Sequence, residues 1–422
     1  MRRDTEERTR NPGSEDGVRE TTGKTISDRK FLSGLLGLGL LALSTCGGGS
    51  SSSGPPPPLP NGQTGSIVAA EASSPANCYI SDIAAACSSA SYKGADAITA
   101  LAAATVGSTN VLYWGDGGGN IESLSSPSST LPSSSSSFHS CMTGTSSSLS
   151  ITSLTVVPLS SAPLLFYTTS GGIFKGQLTA STGACSSSSF SSSNLSTSLT
   201  GAIAYNNATG LVLGVTASAQ YYSCTTTGSP SCISQGALPG LVDTAPQITA
   251  IGSDPNYAIV YVVAIGVNTS RIYFYQVGTN GVLTSIGNYS GTELNGPSGI
   301  ALFVGKNGTS NFCTIGPCTF MDVANAGNTT VTQYVLTYSY SGTTPNGVSV
   351  NQFNNAYYNC DLINPDAIAA FPLPGSSGTL NTPEVFVGEN GFSSVSSSGP
   401  ACFGLASGPF GNNITAYNVK NE

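Results

Sequence analysis

Charge, histidine and tryptophan are scarce in this chain of 422 residues: charged residues make up 8%, with one histidine and one tryptophan. The single histidine, His139, excludes any site that needs two imidazoles. It sits in a serine-rich loop with no GxSxG nucleophile elbow nearby, so a Ser/His/Asp triad lacks its setting. No CxxC pair exists, which removes the usual framework for a zinc–thiolate centre. There is no GxxxxGK[ST] phosphate loop and no glycine fingerprint after a strand, so nucleotide chemistry has no cradle. From Gly47 onward only Lys93, Lys175, Arg271, Lys306 and Lys420 are basic, against fourteen acidic residues, a net charge of −9. A phosphate-backbone partner needs a basic surface, so nucleic acid is excluded.

What is present begins at the N-terminus. The first thirty residues are polar and hold eight of the thirteen Lys and Arg. Arg29-Lys30 then leads into the apolar run Phe31–Leu43, whose thirteen residues fall short of the about 20 that cross a bilayer core. That length suits a signal-peptide apolar region. Leu43-Ser44-Thr45-Cys46 follows, then Gly47-Gly48-Gly49 and a run of serines. Arg29 to Ser53 resembles a bacterial lipoprotein signal. The resemblance implies that residues 1–45 are a signal peptide and that Cys46 carries a lipid at the new N-terminus. It also implies export and a lipid anchor at the bacterial envelope, and Gly47, rather than Asp, after the cysteine fits outer-membrane sorting. The alternatives are an ordinary secretory signal, or a cytosolic tail that only looks apolar. Residues 46–65 contain Ser50–Pro60 (SSSSGPPPPLP), a flexible Ser/Gly piece joined to a stiffer Pro-rich one. Residues 66–422 form the folded domain.

Without Cys46, ten cysteines remain. An even number in an exported chain reads as a disulfide set. Local spacing favours nearest-neighbour pairs: Cys78–Cys87, Cys141–Cys185, Cys224–Cys232, Cys313–Cys318 and Cys360–Cys402. Other connectivities stay open.

The folded part is patterned for strands. Between Gln247 and Gly291 the apolar stretches Ile248–Ile251, Ala258–Ala264, Arg271–Val277 and Val282–Ile286 alternate with turn residues. Asn280-Gly281 predicts a type I′ hairpin turn. Similar units begin near Asp96-Ala97-Ile98, Ile151-Thr152, Gly201-Ala202-Ile203, Gln247-Ile248, Pro297-Ser298-Gly299 and Asp366-Ala367-Ile368. Each is followed by a second strand ten or more residues later. A repeat of this length is that of a four-stranded blade, which predicts an all-β propeller. Six blades are expected. A seventh is allowed if Gly65–Ser91 makes one of its own, or pairs with Ile414–Val419 to close the ring.

Ile272–Gly287 (IYFYQVGTNGVLTSIG) and Gly296–Leu302 (GPSGIAL) resemble lactonase-type propellers, which implies sugar-lactone hydrolysis as one function. That family relies on His, Arg and Glu in a central cleft, whereas this chain offers only His139 and Arg271. Aligned by their shared Asp-Ala-Ile, Asp96 and Asp366 open the first and last units. In a closed ring they would be neighbours and could hold Ca²⁺ or act as an acid/base pair; the alternative is that each caps a turn. Asp116-Gly117-Gly118-Gly119-Asn120 reads as a turn between strands. The many tyrosines fit either a sugar-stacking surface or packing between blades. The chain thus reads as a binding or scaffold module whose partners are the membrane, through Cys46, and an envelope protein or glycan. A lactonase-like or metal-dependent hydrolase is the alternative.

Overall fold

The computed structural model describes residues 67–71, 76–80, 88–89, 98–125, 138–144, 149–190, 194–305, 318–328, 330–358, 365–371, 384–389 and 413–418. Among them lie twenty-six strands. β1 (Ile67–Glu71), β2 (Ala76–Ile80) and β3 (Ser88–Ser89) come first. Blade 1 comprises β4 (Ile98–Val106), β5 (Thr109–Asp116), β6 (Ile121–Ser125) and β7 (Phe138–Met142). Blade 2 comprises β8 (Ile151–Val157), β9 (Leu164–Thr169), β10 (Gly172–Leu178) and β11 (Cys185–Phe190). Blade 3 comprises β12 (Ala202–Asn206), β13 (Leu211–Val215), β14 (Gln220–Thr225) and β15 (Cys232–Ala237). Blade 4 comprises β16 (Gln247–Ser253), β17 (Ile259–Ile265), β18 (Ser270–Val277) and β19 (Leu283–Tyr289). Blade 5 comprises β20 (Pro297–Gly305), β21 (Cys318–Asn325), β22 (Thr330–Ser341) and β23 (Thr344–Tyr358). β24 (Pro365–Ala370), β25 (Glu384–Glu389) and β26 (Asn413–Asn418) end the chain.

The five blades are antiparallel meanders, and the remaining strands form one six-stranded sheet in the order β24-β25-β26-β1-β2-β3. The all-β propeller is therefore the fold, but six like blades are not what the chain builds. Five are four-stranded, and the sixth sheet is enlarged because β1–β3 add to its outer side. β1–β3 make no separate seventh blade; the expected pairing with the C-terminal strand does occur, β1 with β26 from Ile67↔Tyr417 to Glu71↔Asn413. This removes the open edges that the two chain ends would otherwise present.

A short pattern at the start of each innermost strand governs how the sheets meet. Five of these strands bulge at their first pairings, between Ile98 and Ala100, Ile151 and Ser153, Ile248 and Ala250, Pro297 and Gly299, and Pro365 and Ala367. A bulge opposes two residues to one and re-aims the side chain between them. Aligned on that position, the chain reads Thr99-Ala100-Leu101-Ala102, Thr152-Ser153-Leu154-Thr155, Thr249-Ala250-Ile251-Gly252, Ser298-Gly299-Ile300-Ala301 and Asp366-Ala367-Ile368-Ala369. Blade 3 supplies Gly201-Ala202-Ile203-Ala204 without a bulge. A Cβ on Gly201 would lie 2.0 Å from the Val215 carbonyl oxygen, so no side chain fits there.

Side chains alternate across a strand, so the large aliphatic residue of each pattern points into the seam with the preceding sheet, and the small ones into the seam with the next. Leu101 packs with Ala367, Ala369 and Phe371 across the closing seam. Leu154 packs in the cluster of Ala100 and Ala102, Ile203 faces blade 2, and Ile251 joins Ala204. Ile300 joins Ala250, and Ile368 joins Ala301. These six clusters make a complete ring. The bulged hydroxyls add a bond across three seams: Thr99 Oγ1 donates to the Ile151 carbonyl, Thr152 Oγ1 to Thr200 at 3.1 Å, and Thr249 Oγ1 to Pro297 at 2.8 Å.

Other expectations are refined. The Asn280-Gly281 connection is longer than a two-residue turn, running from Val277 to Leu283 with only Gly281 at positive φ (77°). Gly278 N–H bonds the Val282 carbonyl at 2.9 Å. Asp116–Asn120 is a turn, with Asp116 accepting from Asn120 N at 2.8 Å and Nδ2 at 2.7 Å. Cys141 on β7 is bonded to Cys185 on β11, joining the outermost strands of blades 1 and 2, and Cys224 is bonded to Cys232 within blade 3. Cys78 on β2 and Cys318 on β21 are placed by their backbone alone. Cys46, Cys87, Cys313, Cys360 and Cys402 lie outside the described residues.

Two stability effects follow. A Cβ at Gly252 would stand 2.5 Å from Leu302 Cδ1 and 3.0 Å from Ile300 Cγ2. Gly252→Val overpacks that seam and is expected to cost about 1–3 kcal/mol in urea denaturation. The disulfides close loops of 44 and 8 residues, worth about 4 and about 2.5 kcal/mol on a chain-entropy reckoning. Cys141→Ala/Cys185→Ala should therefore lower the denaturation midpoint more than Cys224→Ala/Cys232→Ala.

Candidate functional site

β4, β8, β12, β16, β20 and β24 each end a sheet, so each has one edge with no neighbouring strand. Together they line a central cavity of about 300 Å³. Because the side chains of these strands go into the seams, the strand edges themselves, with their N–H and C=O groups, face the axis. Ala and Gly flank them at most positions.

At one junction the chain answers its own edge groups. Ser153 Oγ accepts from Ile203 N at 3.1 Å and lies 3.5 Å from the Ile203 carbonyl oxygen; Thr155 Oγ1 accepts from Tyr205 N at 3.0 Å. At the other five junctions the counterparts of Ser153 and Thr155 are all Ala or Gly. The packing explains why: Gly252 and Gly299 face Ile300 and Ile368 at distances that leave no room for a larger residue. At two of these junctions the first carbonyl of the next innermost strand accepts a hydroxyl, Ile151 from Thr99 and Pro297 from Thr249, and the Ser153/Thr155 pattern is not repeated further along.

The far mouth is shaped by Tyr205, Asn207, Asp254 and Pro255. Among the described residues Asp254 is the only carboxylate that lines the cavity. It is 1% exposed, and its oxygens are occupied by its own chain. Oδ1 accepts from Asn256 N at 2.9 Å and Tyr257 N at 3.1 Å; Oδ2 accepts from Tyr261 OH at 3.0 Å and from Tyr338 OH. Burial pushes this carboxyl above the usual range, and those hydrogen bonds oppose the shift. Asp254-Pro255-Asn256 carries the chain from β16 to β17, and the Asp254 carboxylate ties blade 4 to blade 5.

Of the residues marked out from sequence, His139 and Arg271 do not reach the cavity wall. His139 is exposed on β7, the outermost strand of blade 1. Arg271, at the start of β18, pairs with Asp243 at 3.0 Å and is not in the cavity wall. Aligned on the bulge, Asp366 matches Thr99, not Asp96. The shared Asp-Ala-Ile spelling misleads because pairing is counted from the bulge. Asp96 lies outside the described residues, and Asp366 is placed by its backbone alone. No group of three His, Cys, Asp or Glu suited to a metal occurs among the described residues. Tyr261, Tyr273, Tyr275 and Tyr334 are fully buried in the seams, whereas Tyr340 is 50% exposed beside Tyr257.

One titratable group outside the cavity wall has a measurable consequence. Asp322 on β21 is 2% exposed, and its Oδ1 has no hydrogen-bond partner. Burial raises its pKa from 3.8 to about 7, against a lowering hydrogen bond from Gln333. The folded state thus holds this proton more tightly than the unfolded chain, so stability falls as pH rises from about 4 to about 7. Between pH 5 and 8 the loss is about 3 kcal/mol, at about 1.4 per pH unit up to the folded pKa. Asp322→Asn should remove that share of the pH dependence in urea denaturation. An unchanged slope would mean the carboxyl finds a partner when ionised.

No family model matches this chain, and no curated protein matches it. Solved structures do. A triple arginine-to-alanine mutant of AofleA from Arthrobotrys oligospora aligns over 84% of this chain and 93% of its own, at 12% identity and TM-score 0.42. The PQQ-bound aldose sugar dehydrogenase of Streptomyces coelicolor aligns over 84% and 98%, at 11% identity and TM-score 0.40. A putative 6-phosphogluconolactonase from Bacteroides fragilis, of the class the sequence resembles, aligns over 74% and 99%, at 10% identity and TM-score 0.39. At such values none of them bears on what this chain does.

Proposed function

We propose that this chain is an exported β-propeller, lipid-anchored at Cys46, that serves as a binding module at the bacterial envelope. The observation that carries the binding reading is the state of Asp254: the one described carboxylate of the cavity wall already has both oxygens engaged by four donors of its own chain. A general base must be free to take a proton from a substrate within hydrogen-bond reach, and this one is committed to holding two blades together. The export reading rests on the sequence between Arg29 and Ser53.

Two measurements test the two halves. In cells fed an alkyne fatty acid, the full chain should take up label and fractionate with membranes, whereas Cys46→Ser should lose the label and become soluble; label persisting in Cys46→Ser overturns the anchor. The detergent-solubilised protein should open sugar lactones no faster than buffer alone. Acid release above that rate would assign the hydrolase instead.

A further inference from the structure

Resting on the binding reading, we infer that the central cavity is a site for a neutral polyhydroxylated molecule of about monosaccharide size. The edge of an antiparallel strand exposes the N–H and the C=O of the same residue together, as Ser153 shows by meeting both groups of Ile203. The wall therefore offers donors and acceptors side by side. A hydroxyl is the group that satisfies both, since it donates one hydrogen and accepts through two lone pairs. An anion would meet the carbonyls and a cation the amides, each without a counter-charge, and desolvating an unpaired ion costs far more than desolvating a hydroxyl. The cavity of about 300 Å³ corresponds to roughly ten waters at about 30 Å³ each, which a ring carrying several hydroxyls replaces group for group.

The Ser153/Thr155 junction also supplies the test, because it shows how the chain looks when its edge is already answered. Ala100→Ser/Ala102→Thr copies it into blade 1, and Ala202→Ser/Ala204→Thr copies it into blade 3 should the first variant fail to fold. Calorimetric titration of the full chain in detergent would use glucose, myo-inositol and trehalose, with glucuronate and glucosamine as charged counterparts, each with EDTA and with Ca²⁺. The expected result is binding of at least one neutral probe, unchanged by EDTA, at least tenfold weaker for the charged analogue of the same size and at least tenfold weaker in the copied variant. Equal affinity for a charged analogue, unchanged affinity in the folded variants, or a strict need for Ca²⁺ each overturns it. So does the absence of heat with every neutral probe, which leaves the cavity a water column. The binding reading would survive that last outcome if the chain is still retained on isolated envelope glycans, and would fall with it if it is not.

Discussion

A small residue set against a branched aliphatic one, repeated around the ring, is the contact on which this architecture depends. Leu or Ile at the centre of each innermost strand reaches back across one seam, and Ala, Gly, Ser or Thr on either side leaves room for the next strand's Leu or Ile. Interiors pack at crystal-like density, so the pairing must be met at every seam for the circle to close. The same choice empties the axis. Side chains committed to the seams cannot fill the channel, and the backbone edges are left facing it.

The tyrosines serve the wider parts of the wedge. In the seam between blades 4 and 5, Tyr261 and Tyr338 donate to Asp254, while Tyr289 and Tyr334 donate to Glu293 at 2.6 Å and 3.0 Å. Their rings occupy space that aliphatic side chains could not reach, and each hydroxyl finds a carboxylate. Carboxylates so surrounded, Asp254 buried and Glu293 half-buried, are structural fasteners, which is why a chain with few charges spends two of them here.

Much of the fold was legible because strand periodicity and turn residues are local properties. Ile259–Ile265 and Ser270–Val277 fall where their apolar, β-branched and aromatic residues place them. The repeat was visible too, but its phase was not. Matching Asp96-Ala97-Ile98 to Asp366-Ala367-Ile368 compares letters, whereas the fold counts from a bulge that depends on pairing with the second strand. Read from Thr99, Thr152, Thr249, Ser298 and Asp366, the small–large–small triplet could have been found in the sequence itself. The cavity wall was beyond reach by any such reading, because it is made of backbone, which has no letter.

The enlarged sheet has a mechanical consequence. β1 lies between β26 and β2, paired antiparallel to both over its whole length. Tension arriving from residues before Ile67 runs along β1 and loads both ladders in shear, so their hydrogen bonds resist together instead of opening one at a time. Tension arriving from beyond Asn418 likewise runs along β26, held between β25 and β1. A propeller pulled from either side is therefore held between two ladders, with no free strand edge from which it could be peeled.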